Sequence, residues 1–266
     1  MSNIAKTLLD AKLRGGGFVP FVTAGDPDLA TTLLILEALA AAGADVIELG
    51  VPFSDPMADG PVIQRSSQRA IKAGTTLRNV IDLASEFKKH SLVPLVLFSY
   101  FNPIDRFGLD KFKREAENAG IEGLLLTDVV DEEAAAIAND LSTGGIDLIS
   151  LIAPTTTDER LERICEKANG FIYAVSRTGV TGTQISTSES AKELVMRARR
   201  CTDLPIAVGF GISSRQQILD VWDYADAAVV GSAIVKQIEI AADPLSEVEA
   251  FVRVLLPDLA NKSGEN

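Results

Sequence analysis

Two carboxylates, Glu48 and Asp59, flank a turn-rich loop in the stretch ELGVPFSDPMADGP, residues 48–61, and are the groups best placed for acid–base work. Residues 44–49 read as a buried apolar strand ending in an acid. Pro52, Pro56 and Pro61, with Gly50 and Gly60, bar helix and sheet from the loop beyond it. A carboxyl group beside Phe21, Phe98 and Tyr173 keeps its proton to higher pH, whereas a more solvated loop aspartate stays ionised. The two acids are then a proton carrier and a fixed anion. On spacing alone, Glu48 equally suits a helix cap or a pair with Arg65 or Arg177, and Asp55 and Asp59 suit turn formation.

Other chemistries are excluded by what the chain lacks. Its single histidine, His90, follows Lys88 and Lys89 at the polar end of a helical pattern, where a cation complements the helix C-terminus. A His-rich zinc site and a Ser-His-Asp triad are thereby ruled out. Cys165 lies in a helical pattern and Cys201 near a helix end, which fits reduced, structural thiols. Lys72, Lys88, Lys111, Lys167, Lys192 and Lys236 all fall in helical or loop patterns, so Schiff-base and covalent pyridoxal chemistry is not expected.

A second signal is glycine. SRTGVTGT (176–183), GFGIS (209–213) and VGSAIV (230–235) each follow a late apolar run. Backbone N–H groups of Gly182, Gly211, Gly231 and Ser232, near helix starts, suit a phosphate dianion. The plain alternative for each is a tight strand-to-helix turn. Residues 178–183 also have the composition of a mobile lid.

These groups need a scaffold. Short β-branched runs at 18–23, 45–49, 94–99, 123–127, 148–152, 171–175, 205–208 and 227–230 alternate with amphipathic ones at 29–42, 110–119, 132–141, 158–168, 188–200, 213–224 and 244–259. Asp28, Asp158 and Ser213 suit N-caps, and Gly43, Gly120, Gly144 and Gly170 suit helix ends. Strands apolar on both faces and separated by helices indicate a parallel sheet. Eight such units predict an α/β fold, a (β/α)8 TIM barrel over residues 1–266 as one domain, with extra N-terminal and C-terminal helices. A doubly wound sheet is the alternative, but the dinucleotide signature is missing: Gly15, Gly16 and Gly17 precede the first strand and read as a flexible entry to it. In a barrel, the C-terminal strand ends converge, bringing together Phe21, Thr23, Glu48, Phe98, Tyr100, Asp128 and Tyr173.

Net charge is −12, which argues against a nucleic-acid surface. Hydrophobic residues make up 47% of the chain, yet Glu37, Asp45 and Glu48 interrupt the longest apolar region, well short of the roughly 20 residues a membrane span needs. The N-terminal MSNIAKTLLDAKLRGGG lacks the apolar centre of a secretory signal, so a cytoplasmic protein is expected.

The motifs FVPFVTAGDP, VIELGVPFSDPMADGP, SYFNPI, TDV, FIYAVSRTGVTG, VGFGIS and VVGSAIV together resemble the tryptophan synthase alpha subunit family over essentially the whole chain. The resemblance implies reversible retro-aldol cleavage of indole-3-glycerol phosphate to indole and glyceraldehyde 3-phosphate. By it, Glu48 matches the principal acid–base residue and Asp59 the aspartate that binds the indole N–H. Phe21, Phe98, Tyr100, Leu125 and Tyr173 line the indole pocket, Gly182, Gly211, Gly231 and Ser232 hold the phosphate, and Thr181 and Phe210 are further substrate-binding residues. No metal or organic cofactor is implied. The implied partner is a pyridoxal-phosphate beta subunit in an alpha2-beta2 complex, faced by residues 52–56. A stand-alone lyase, or another phosphate-binding barrel isomerase or synthase, are the competing functions. One departure is Val130, where the family usually has proline.

Overall fold

A computed structural model describes residues 1–175, 187–209 and 211–257. Eight parallel strands close into a barrel in chain order: β1 Gly17–Thr23, β2 Ile47–Gly50, β3 Leu95–Ser99, β4 Gly123–Leu126, β5 Asp147–Ile152, β6 Ile172–Val175, β7 Ile206–Gly209 and β8 Ala227–Val230. β8 pairs back onto β1, with Phe18 opposite Ala228, so the doubly wound alternative is excluded. The helices are α1 Asn3–Leu13, α2 Leu29–Ala41, α3 Pro61–Lys72, α4 Leu77–Lys88, α5 Phe101–Phe107, α6 Leu109–Asn118, α7 Asp131–Ser142, α8 Asp158–Lys167, α9 Thr187–Ala198, α10 Arg215–Trp222, α11 Ser232–Ile240 and α12 Pro244–Leu255. Among the described residues, no helix is long and apolar enough to cross a membrane.

Alternation along each strand divides the apolar side chains into two sets. Val19, Val46, Val96, Leu125, Ile149, Phe171, Ala207, Ala227 and Val229 fill the barrel, joined from below by Ile4 and Leu8 of α1. Their sequence neighbours, among them Phe18, Ile47, Leu49, Leu95, Leu97 and Leu124, pack outward against the helices. The N-terminal helix is therefore the floor of the barrel.

Several local expectations shift by one residue, each for a local physical reason. Thr157, not Asp158, caps α8, and Ser214, not Ser213, caps α10: each lies just before the helix with extended backbone, and its hydroxyl accepts an N–H of the first turn. Gly145, not Gly144, carries the positive φ (+69°) beyond α7. Asp45 lies below β2 instead of in it, because its carboxylate accepts the Phe18 N–H at 2.8 Å and Arg14 at 2.7 Å. The glycines before β1 are no flexible entry. Gly16 has φ +142°, and a Cβ there would lie 2.2 Å from the Trp222 ring, whose Nε1 donates to the Gly17 carbonyl at 2.8 Å. The final helix ends at Leu255, and residues 258–259 of the expected span lie outside the described residues.

Candidate active site

Glu48 belongs to the barrel interior, one position of the same strand face above Val46, and is 1% exposed. Its Oε1 has no hydrogen-bond partner among the described residues. Ionising a carboxyl in such surroundings is costly. Burial accordingly pushes Glu48 up to about 8, so it carries its proton at neutral pH. Of the alternative partners named from spacing, Arg65 is engaged with Glu239 at 2.6 and 2.9 Å, and Arg177 lies outside the described residues.

Aromatic side chains supply the dry walls. Phe21 lies opposite Glu48 in the β1–β2 ladder and meets Phe98 edge-on, ring centres 5.3 Å apart at 77°. Gly50 gives the Phe21 ring its room: a Cβ there would come within 2.5 Å of it. Tyr173 enters from β6. Its hydroxyl occupies space that a Cβ on Gly209 would claim at 2.2 Å. Burial first, and then the charges of Glu48 and Asp59, hold the Tyr173 phenol well above its ordinary value, which sets all three groups in one electrostatic neighbourhood. Leu125, fully buried, lies in the layer below.

Asp59 arrives on the irregular segment 51–60. Pro61 occupies the first turn of α3, where its missing N–H costs nothing. The segment is held from α3 by Gln64, which donates to the Asp59 carbonyl at 2.9 Å, and from β3 by Tyr100, whose hydroxyl accepts the Ala58 N–H at 2.9 Å. Burial pushes the half-buried Asp59 carboxyl up to about 6, against a hydrogen bond from Tyr100 that lowers it. The two acids are thus ordered, with Glu48 protonated and Asp59 ionised near neutrality.

The glycine ends are unequal. Gly231 precedes α11 with no side-chain cap, so the first N–H groups of that helix, beginning at Ser232, are available to an anion. A Cβ on Gly231 would stand 3.4 Å from Phe21, linking this end to the aromatic wall. Gly211 is exposed with φ +76° in the turn after β7. The helix beyond that turn is already capped by Ser214. Thr181, Gly182 and Phe210, and the expected lid at 178–183, lie outside the described residues.

Two strand-end residues have structural work. Thr23 shares a 2.7 Å hydrogen bond with Ser66 of α3, and Asp128 accepts the Phe101 N–H at the start of α5. Sequence reading missed a charged cluster behind the site: Arg69 of α3 forks onto Asp26 at 2.8 and 2.7 Å and reaches Glu239 of α11 at 3.0 Å. It also missed Phe53, whose ring lies 4.9 Å from that of Tyr100. Arginines four apart on one helix face, Arg65 and Arg69, were the available signal for the former. Val130 lines a cavity of about 780 Å³ between β4, β5, α7 and α8.

A closed (β/α)8 barrel with a desolvated acid, a second carboxylate and an open helix N-terminus around its C-terminal mouth is the plan of a barrel enzyme working by acid–base chemistry. The model of the "Tryptophan synthase alpha chain" family matches residues 9–262. The tryptophan synthase alpha chain of Solibacter usitatus is 48% identical over 240 residues, covering 89% of this chain and 90% of that one. The alpha chain of Geobacter sulfurreducens is 45% identical over 264 residues, covering 98% and 100%. Among solved structures, the tryptophan synthase α2β2 complex of Pyrococcus furiosus superposes with TM-score 0.84 at 41% identity, covering 91% of this chain and 97% of that one. A solved protein structure from Aquifex aeolicus reaches TM-score 0.87 at 32% identity, covering 96% of this chain and 98% of that one. The chain belongs to the tryptophan synthase alpha chain family.

Proposed function

We propose that this chain cleaves indole-3-glycerol phosphate reversibly to indole and glyceraldehyde 3-phosphate, with Glu48 and Asp59 as its two working acids. The observation that carries this reading is Glu48: buried, with no partner for Oε1 among the described residues, and pushed by burial up to about 8. It donates its proton to indole C3. Positive charge then develops at the ring nitrogen, where the Asp59 carboxylate accepts the N–H hydrogen bond. The Glu48 carboxylate next takes the proton of the side-chain hydroxyl beside the ring. The carbon–carbon bond breaks, its electron pair returns to the ring, and an aldehyde is left. One proton enters and one leaves, so Glu48 ends as it began and the reaction needs no cofactor.

Phe21, Phe98, Tyr100, Leu125 and Tyr173 enclose the indole in this reading. The N–H groups at Gly231 and Ser232, with Thr181, Gly182, Phe210 and Gly211, hold the phosphate. The chain acts as a single cytoplasmic domain, 1–266, that passes indole to a pyridoxal-phosphate beta subunit in an alpha2-beta2 complex. Support comes from the family membership and from the assembled Pyrococcus furiosus relative. The test is indole release by the purified chain, alone and with a beta subunit, compared with Glu48→Gln and Asp59→Asn. Full activity in either variant would sink the role assignment, and strong turnover unaffected by the beta subunit would make the chain an independent lyase.

A further inference from the structure

Tyr100 sits at the point where β3 ends and α5 begins, 5% exposed, with extended backbone (φ −99°, ψ 161°). Its ring lies against Phe53 at 4.9 Å, and its hydroxyl accepts the Ala58 N–H at 2.9 Å. Asp59 follows Ala58 directly, and the Tyr100 side chain acts on its carboxyl, lowering it against the effect of burial. A phenol has one proton to give and lone pairs to receive, so while it accepts from Ala58 it keeps a proton to offer on the Asp59 side. Residues 53, 58 and 59 thereby converge on one side chain of the barrel wall. Within the segment itself the ties are short-range turns, Met57 N–H to the Asp55 carbonyl and Asp59 N–H to the Pro56 carbonyl.

We propose that Tyr100 is a positioning residue: its hydroxyl, on the N–H of Ala58, and its ring, on Phe53, tie the loop to the third strand and so place the Asp59 carboxylate. The proposal rests on the reading of Asp59 as the anion that meets the indole nitrogen, and adds a role beyond lining the indole pocket. Burial, and next the Asp59 charge, push the Tyr100 phenol up to about 12, so it remains a donor throughout the working range. A hydrogen bond to the ionised form favours that form. Among the described residues, the other titratable groups around Asp59 are Tyr173 from β6, which feels its charge, and Glu48 from β2, which acts on the same phenol.

The test is Tyr100→Phe in the full chain, which keeps the ring on Phe53 and removes only the hydroxyl. Asp59 is titrated in the ligand-free chain by carboxyl ¹³C NMR, and indole release is followed against pH. The expected result is an Asp59 midpoint above that of the wild type, an acid limb of kcat/KM displaced the same way, and kcat reduced roughly tenfold or more with a smaller change in KM. Ala58 amide exchange accelerates. Should Tyr100→Phe fold poorly, a fluorinated tyrosine at position 100, a more acidic donor, lowers the Asp59 midpoint instead. An Asp59 midpoint unmoved in these variants, or a loss of rate uniform across pH, overturns the proposal. Because the titration is read without substrate, failure of the wild type to release indole would count against the proposed reaction and leave this result standing on its own.

Discussion

Phe21 and Glu48 are register partners on neighbouring parallel strands, so a phenyl ring and a carboxyl group leave the barrel wall side by side, on its inner face. The acid therefore has hydrocarbon beside it and the apolar layer of Val19 and Val46 beneath it. Its proton affinity follows from that placement.

Glu48→Gln keeps the shape and removes the proton carrier, and indole release should fall by about 10²- to 10⁴-fold. Stability should move the other way. The folded pKa of about 8 lies above the ordinary 4.5, so the folded state holds a proton that the unfolded chain has released. Stability contributed by Glu48 therefore falls as pH rises from about 4.5 to about 8, by roughly 1.4 kcal/mol per unit, and is level outside that window. Denaturant titrations of the wild type and the variant across this range should diverge with rising pH. Parallel curves would mean that Glu48 is not desolvated.

The rate should depend on both acids. Asp59 loses its charge as pH falls through about 6, and Glu48 loses its proton as pH rises through about 8. A bell-shaped kcat/KM with its maximum between the two is expected. In Asp59→Asn the acid limb should vanish while the alkaline limb remains. An acid limb that persists in that variant would assign it to another group.

Gly209→Ala places a methyl group where the Tyr173 hydroxyl lies, at 2.2 Å from it. Overpacking in a filled barrel costs about 1–3 kcal/mol, and Tyr173 must withdraw from Glu48 and Asp59. The unfolding midpoint should drop and activity with it. A crystal structure of the variant with Tyr173 unmoved would contradict the close approach.

The ion pairs linking α3 and α11 should be unequal. Arg69 is the forked partner of Asp26, which is 2% exposed, and Arg69→Met leaves that carboxylate buried without it. A loss of about 2–4 kcal/mol is expected. Arg65 is 45% exposed, and Arg65→Met should cost clearly less than Arg69→Met. Chemical denaturation of the two variants decides this, and equal losses would refute the ranking.

By itself the sequence determined the rhythm of the fold and the identity of the acids. Short apolar, β-branched runs alternating with helical ones yield eight strands, because backbone hydrogen bonding and side-chain burial act locally. The lone His90, exposed just beyond α4, and the helix-bound lysines are what singled out Glu48 and Asp59 as candidates for proton transfer. What only the tertiary structure decided was which neighbours those acids acquire. A strand apolar on both faces does not reveal which face turns inward, and closure of the barrel is what put Glu48 on the inner one. Pairing of neighbouring strands brought Tyr100 to the Ala58 N–H beside Asp59, and Tyr173 to Gly209. Contacts of that kind join separate strands through packing, and no spacing within one segment encodes them.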